Sequence, residues 1–111
     1  MSGKLDAVTR EAVTACVRSP DELDVLLCLA RSVSRYTSTR TIADETRLPE
    51  DRIIVALEVL ASRSLLDVRI AGAVVYKLDP ASAAAREAVE RTLEAAWRSR
   101  AAVLQLVLIT S

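Results

Sequence analysis

The side chains that most often carry out catalysis are scarce in this sequence. Among its 111 residues there is no histidine, which removes the commonest general base and the commonest metal ligand. The two cysteines, Cys16 and Cys28, form neither a disulfide framework nor a metal-binding motif, and both fall within apolar helical patterns. A free cysteine in such a pattern usually packs as a small buried hydrophobe. We therefore predict two inert core thiols, with a redox switch as the alternative.

Carboxylates and glycines offer no catalytic arrangement either. Asp44-Glu45 and Glu50-Asp51 are adjacent acids, and neighbours one position apart on a helix point in different directions, which suits no acid–base pair. The chain has only two glycines, too few for a phosphate-binding loop. We therefore predict that the protein is not an enzyme and that it binds no cofactor and no metal ion.

Basic side chains are the remaining candidates for binding chemistry. The chain has 15 basic and 15 acidic residues, and this balance argues against nucleic-acid binding unless the charges are sorted onto different faces. Several basic residues do gather in the middle of the chain, where together they could hold a phosphate backbone. The candidate DNA-contacting residues are Arg40, Arg47, Arg52, Arg69 and Lys77.

Composition predicts a mainly helical domain without a membrane segment. Apolar residues make up 51% of the chain, so a packed core is expected, and abundant Ala, Leu, Arg and Glu favour helix over strand. The N-terminal residues lack the long apolar run of a signal peptide. The apolar stretch from Ala101 to Ile109 is about half the length needed to cross a bilayer. We expect a cytoplasmic protein.

Apolar spacing and capping residues predict two helices at the start of the chain. The first is amphipathic and runs from Leu5 to Val17. The second begins at Ser19-Pro20, where Ser19 can cap it and Glu22 completes a capping box. Its predicted buried stripe consists of Leu23, Leu26, Leu27, Ala30 and Val33.

A polar segment separates these helices from a second pair. Residues 32–41 are polar and β-branched and are predicted to form a loop. Ser38 or Thr39 can cap a short helix over Thr41–Thr46. Pro49 then opens a fourth helix, with two acids in its first turn, after a tight turn. The predicted core face of the fourth helix consists of Ile53, Ala56, Leu57 and Leu60.

After Ser64 the apolar period changes from helical to alternating. Leu66, Val68 and Ile70 alternate with charged residues, and a glycine-containing turn leads into a second apolar run, which predicts a β-hairpin. Asp79-Pro80 then opens a last helix, which the pattern predicts to run unbroken to about Ile109.

This order of elements resembles that of the winged helix-turn-helix regulators, most closely in the ArsR-like arrangement. In that family a short helix with an Ile/Leu-Ala pair leads through a turn ending in Leu to an apolar-spaced recognition helix and a wing hairpin. The matching residues here are Ile42-Ala43, Leu48, Ile53, Leu57, Leu60 and Leu65-Leu66. The resemblance covers roughly residues 20 to 80, and apolar patterns of this kind specify a fold better than a function.

The resemblance implies one winged-helix domain over 1–111, mainly α with a small β-hairpin. Its parts are an N-terminal helix at 1–18, a winged helix-turn-helix core at 19–79 and a C-terminal dimerisation helix at 80–111. The last helix carries more apolar side chains than one small domain needs to cover, so we predict a homodimer built on it. These side chains are Leu93, Trp97, Leu104 and Val107.

Two features depart from the family pattern. The glycine usual after the recognition helix is Ser64, which makes a left-handed C-terminal cap less comfortable. A DNA-reading helix carries basic, amide or hydroxyl side chains, whereas the outward face expected here is acidic and apolar. That face consists of Glu50, Asp51, Ile54, Val55 and Glu58. Metal-sensing members place ligands in the short or the last helix, where this chain has neither Cys nor His, so metal sensing is not predicted.

Two functions follow from these observations. The first is a dimeric, DNA-binding transcriptional regulator, which rests on the resemblance and on the basic residues. The alternative is a winged-helix protein-interaction module that does not bind DNA and holds a protein partner through exposed apolar side chains. The candidate partner-interface residues are Ile54, Val55, Leu93, Trp97, Leu104 and Val107. A positive surface around the helix-turn-helix motif would favour the first function, and its absence the second.

Overall fold

The computed structural model describes residues 5–32 and 35–110, and Val33 of the predicted apolar stripe lies outside them. Within these ranges the chain forms six helices and a three-stranded antiparallel sheet, so the prediction of a mainly α chain with a small hairpin is confirmed. The elements are α1 (Ala7–Cys16), α2 (Pro20–Arg31), β1 (Thr37–Ser38), α3 (Thr39–Thr46), α4 (Glu50–Ser62), β2 (Leu66–Ile70), β3 (Val74–Leu78), α5 (Ala83–Arg98) and α6 (Arg100–Thr110).

Side-chain caps fix where the first three helices begin. At α2 the Ser19 side chain accepts a hydrogen bond from the Glu22 N–H at 3.1 Å, as predicted. The Glu22 carboxylate accepts from the Arg18 N–H at 2.9 Å, one residue before the position that a standard capping box uses. At α3 the Ser38 side chain caps the N–H of Thr41, so this helix begins two residues earlier than predicted. At α1 the Asp6 carboxylate accepts from Thr9, and this hydrogen bond lowers the pKa of Asp6.

The segment predicted as a loop contains a short strand. Thr37 pairs with Tyr76 and Ser38 with Val75, which places β1 beside β3 and gives the strand order β1-β3-β2. Two residues are too few to show an alternating pattern in the sequence. The strand exists because β3 offers it an edge, and this edge forms only when the chain folds.

The last helix predicted from the sequence is two helices, so the prediction of an unbroken helix is wrong. Ser99 adopts an extended conformation (φ −156°, ψ 92°) between α5 and α6. Its side chain accepts a hydrogen bond from the Ala102 N–H at 3.2 Å and so caps α6. The change of direction lets α6 pack against α1 and α2 as well as against α5. The apolar spacing continues across the break because α5 and α6 both face the same core.

Ser64 adopts the left-handed conformation, which is unfavourable for a residue other than glycine. Its φ is 62°, its N–H donates to the Ala61 carbonyl and its own carbonyl accepts from the Ala81 N–H, both at 2.9 Å. A side chain in this region costs about 1 kcal/mol. Glycine removes that strain. Part of the gain in stability is lost, because glycine has more conformational entropy in the unfolded chain.

We therefore expect Ser64→Gly to raise the free energy of unfolding by about 0.5 kcal/mol, measured by urea denaturation. Ser62→Gly, in the last turn of α4, is the matched control and should lower that free energy by about 0.5 kcal/mol, because the φ of Ser62 is helical. Equal effects of the two substitutions would contradict the strain argument.

Candidate interaction face

The outward face of α4 is acidic and apolar. Ile53, Ala56, Leu57 and Leu60 are buried in the core, as predicted. Both members of the apolar pair Ile54-Val55 lie outside that stripe, and Val55 is 61% exposed. The remaining exposed positions on this face are the carboxylates Glu50, Asp51 and Glu58. The outward face expected from the sequence is therefore confirmed, and the exposed basic side chain next to it on α4 is Arg52.

The β2–β3 hairpin adds a second exposed apolar area. Leu66 pairs with Leu78, Val68 with Tyr76 and Ile70 with Val74, so these side chains share one face of the sheet. Leu78 and Tyr76 are buried at the base of the hairpin, whereas Val68, Ile70 and Val74 are exposed, and Ile70 is 84% exposed. Sequence reasoning missed this area, because alternation predicts which face is apolar but not how far the hairpin extends past the core. The uncharged run from Ile70 to Tyr76 was the available signal.

The two areas lie on neighbouring elements, because α4 packs against β2. Burial raises the pKa of Tyr76, and the Glu58 carboxylate of α4 raises it further. Ile54 lies one helical turn before Glu58 on the same side of α4. We call the combined surface the α4–hairpin face and define it as Ile54, Val55, Glu58, Val68, Ile70 and Val74.

Arg52 lies beside Val55 on the surface of α4, where α2 holds its guanidinium. Its guanidinium makes two hydrogen bonds to the Asp21 carboxylate on α2, at 2.8 and 2.6 Å. This pairing is bidentate, and it raises the pKa of Arg52. A phosphate contact through Arg52 would have to break an existing ion pair, which the sequence could not reveal because Asp21 is 31 positions away.

Arg69 and Lys77 share the polar face of the sheet with Tyr36. The Arg69 guanidinium lies 4.9 Å and the Lys77 ammonium 5.5 Å from the centre of the Tyr36 ring. The Tyr36 hydroxyl donates to the Asp67 carboxylate, which raises the pKa of Tyr36 and lowers that of Asp67. Arg69 also forms an ion pair with Asp67 at 3.3 Å, so an acid balances part of this basic pair.

Arg40 and Arg47 are the candidate DNA contacts that remain exposed without an ion pair. Arg40 lies in the first turn of α3, and Arg47 follows α3 in the left-handed conformation, with φ 65°. Over residues 5–32 and 35–110, no carboxylate lies within ion-pair distance of either guanidinium. Of the five candidate DNA-contacting residues, the contacts of the described chain bring together only Arg69 and Lys77.

Two of the partner-interface candidates on the last helices are core residues. Val107 is fully buried and Leu93 is buried, so neither is available to a partner, and this part of the prediction is corrected. Leu93 faces the core from α5, which packs against α1, and the break at Ser99 lets α6 direct Val107 into the same core. Leu104 is partly buried against the same core, whereas Trp97 is 68% exposed.

Both cysteines are buried, as predicted. The Cys28 thiol donates to the Glu45 carboxylate of α3 at 2.7 Å. Burial, and then this hydrogen bond, raise the pKa of Cys28 to about 12, and burial raises the pKa of Cys16. Because the thiolate is the reactive form, both thiols should react slowly in the folded protein.

The raised pKa of Cys28 predicts a loss of stability at alkaline pH. The folded chain holds the thiol proton more tightly than the unfolded chain, whose thiol titrates near 9.0. This contribution to stability is complete below about pH 9 and is lost as the pH rises towards 12. The midpoint of urea denaturation should therefore fall less steeply over this range in Cys28→Ala than in the wild type. Other groups titrate in both proteins, and the contribution of Cys28 is therefore the difference between the two slopes of urea midpoint against pH. Parallel slopes would contradict the prediction.

The described part of the chain contains no group of three Cys, His, Asp or Glu side chains placed to hold a metal ion. None of its helices combines the length and the apolar character needed to cross a membrane. Comparison with models of protein families, with curated proteins and with solved structures finds no match to this chain. The similarity to winged helix-turn-helix regulators therefore stays a prediction.

Proposed function

We propose that this chain is a protein-interaction module whose α4–hairpin face binds a partner protein. The observation that carries the proposal is the character of that face. In a helix-turn-helix protein that reads DNA, the same helix would present basic and polar side chains to phosphates and base edges. Here it presents Ile54, Val55 and three carboxylates, and its one basic side chain, Arg52, is paired with Asp21.

The chemistry of the face specifies the kind of partner. Exposed apolar side chains that lie close together are more typical of a protein-binding surface than of an ordinary solvated one. Val55 and Ile70 would be anchors that fit apolar pockets or side chains of the partner. Glu58 and the acids in the first turn of α4 would attract basic side chains at the rim. The expected partner surface is therefore apolar at its centre and basic at its edge.

A DNA-binding regulator is the second candidate, and Arg40 and Arg47 favour it. The order of the elements is compatible with a winged helix-turn-helix, and both guanidiniums are exposed without an ion pair among the described residues. Contacts through these side chains would grip phosphates without reading bases. Such binding would be weak, insensitive to sequence and steeply dependent on salt.

Val55→Asp tests the proposed function because it places a charge at an exposed apolar position of the face without disturbing the core. Val8→Asp on α1 is the matched control, since Val8 is an exposed valine in a helix and is 53% exposed. Tagged wild type and both variants are incubated with lysate from cells that express the protein, and retained proteins are quantified by mass spectrometry. We expect a protein that the wild type and Val8→Asp retain and that Val55→Asp loses by at least about tenfold.

Reconstitution and a DNA titration complete the test. The candidate partner, once purified, should bind the wild type directly and bind Val55→Asp at least about tenfold more weakly. Labelled duplexes of unrelated sequence are titrated in parallel at low and high salt, and no binding is expected. A duplex that binds tightly at low salt, with no partner sensitive to Val55→Asp, would replace this proposal with the DNA-binding one.

A further inference from the structure

Strand β2 has one edge without a partner. The strand order β1-β3-β2 places it at the side of the sheet, and within residues 5–32 and 35–110 no backbone hydrogen bond reaches its outer edge from another element. An unpaired edge is a template for another strand, which proteins usually block with proline, a bulge, charged side chains or a covering element, and the two charges of β2, on Asp67 and Arg69, are opposite in sign. The segment Leu66–Ile70 contains no proline, and its register with β3 is continuous.

The hydrogen bonds at the two ends of the hairpin show which backbone groups point outward. The Asp79 N–H donates to the Leu65 carbonyl, and the Ala71 N–H donates to the Ala73 carbonyl, both at 2.9 Å. Odd-numbered residues of β2 therefore direct their N–H and C=O groups towards β3. The even-numbered residues Leu66, Val68 and Ile70 direct theirs away from the sheet.

We propose that β2 pairs antiparallel with β2 of a second copy of this chain, about a twofold axis at Val68. In this register Val68 lies opposite Val68 of the second copy, and Leu66 lies opposite Ile70, so the outward-pointing groups hydrogen-bond to one another. Asp67 of each chain then lies opposite Arg69 of the other. These two positions are the non-hydrogen-bonded pairs, in which side chains approach most closely.

Charge complementarity selects this register over its neighbours. Only shifts that keep even residues opposite even residues satisfy the outward-pointing backbone groups. Moving the axis by one residue to Asp67 places the two Asp67 carboxylates opposite each other, and moving it to Arg69 does the same to the two guanidiniums. Like charges directly opposite are destabilising, whereas the axis at Val68 makes two opposite-charge pairs. Arg69 is exposed and Asp67 is half-buried, and the pairs across the axis would extend the ion pair that they form within one chain.

Pairing would also join the exposed apolar side chains of the two hairpins. Leu66, Val68 and Ile70 share one face of the sheet, so the two copies would form one continuous apolar strip next to both α4 helices. The twofold symmetry makes the contact isologous and closed, which yields a dimer and not a fibre. This inference does not rest on the proposed function, because Val55 lies outside the strand and Val55→Asp leaves the edge intact.

Sedimentation equilibrium from low micromolar to millimolar concentration tests the pairing. The wild type should approach twice its chain mass of 12.0 kDa as the concentration rises. Arg69→Asp gives a strand with two acids, and Asp67→Arg gives a strand with two basic side chains. Each variant alone should dimerise at least about tenfold more weakly than the wild type, because both of its cross-strand pairs become repulsive.

Mixing the two variants separates charge pairing from damage to the fold. An equimolar mixture places the acidic strand opposite the basic one in the same register and should recover dimerisation to within about threefold of the wild type. Trp97→Gln is the matched control for a contact through α5 and should leave dimerisation unchanged. A monomeric wild type at the highest concentration, a mixture that stays monomeric, or dissociation by Trp97→Gln would each overturn the proposal.

Discussion

Arg63→Ala should lower the free energy of unfolding by about 3 kcal/mol, because it leaves a buried carboxylate without its partner. The Arg63 guanidinium donates to the Glu22 carboxylate and to the Cys16 carbonyl, each at 2.6 Å. Glu22 is buried and Arg63 is half-buried, so the pair is poorly screened by water. These bonds attach the end of α4 to the junction between α1 and α2. Urea denaturation followed by circular dichroism measures the loss.

Two further variants show whether burial is the cause. Arg98→Ala removes an exposed ion pair with Glu94 and should change the free energy of unfolding by less than about 0.5 kcal/mol. Glu22→Gln should destabilise the wild type but stabilise the Arg63→Ala protein by about 1 kcal/mol, because there it removes an unpaired buried charge while keeping an acceptor for Arg18. Equal losses from Arg63→Ala and Arg98→Ala would contradict this account.

Val107→Asp should lower the free energy of unfolding by about 4 kcal/mol and the melting temperature by about 15 °C. Val107 is fully buried, so a carboxylate there would lose its hydration within the apolar core. A loss of this size is a large fraction of the total stability of a small domain. Thermal melts followed by circular dichroism should detect it directly.

This prediction distinguishes a core residue from an interface residue. If α6 were the dimerisation helix expected from the sequence, Val107→Asp would dissociate a dimer and leave a folded monomer. Trp97→Gln, at a position that is exposed, should change the free energy of unfolding by less than about 1 kcal/mol. A folded Val107→Asp monomer with an unchanged melting temperature would show that the assignment of Val107 to the core is wrong.

The sequence by itself determined the features that depend on residues a few positions apart. A cap such as Ser19 at α2 or Ser38 at α3 acts on an N–H three residues ahead, so the signal and its effect lie in the same short segment. The outward face of α4 follows in the same way from the period of a helix. The left-handed residue after α4 is an exception, because Ser64 stands in place of the glycine that would favour this conformation.

Only the tertiary structure decided which distant groups meet. Arg52 was a candidate phosphate contact until the fold placed Asp21 beside it, and Arg63 gained its role from Glu22, 41 positions away. Apolar spacing marked Val107 and Trp97 alike, yet one is in the core and the other is exposed. The physical reason is that periodicity records which side of a helix is apolar. Whether that side meets the chain's own core or solvent depends on how the helices are turned, and here the break at Ser99 turns α6.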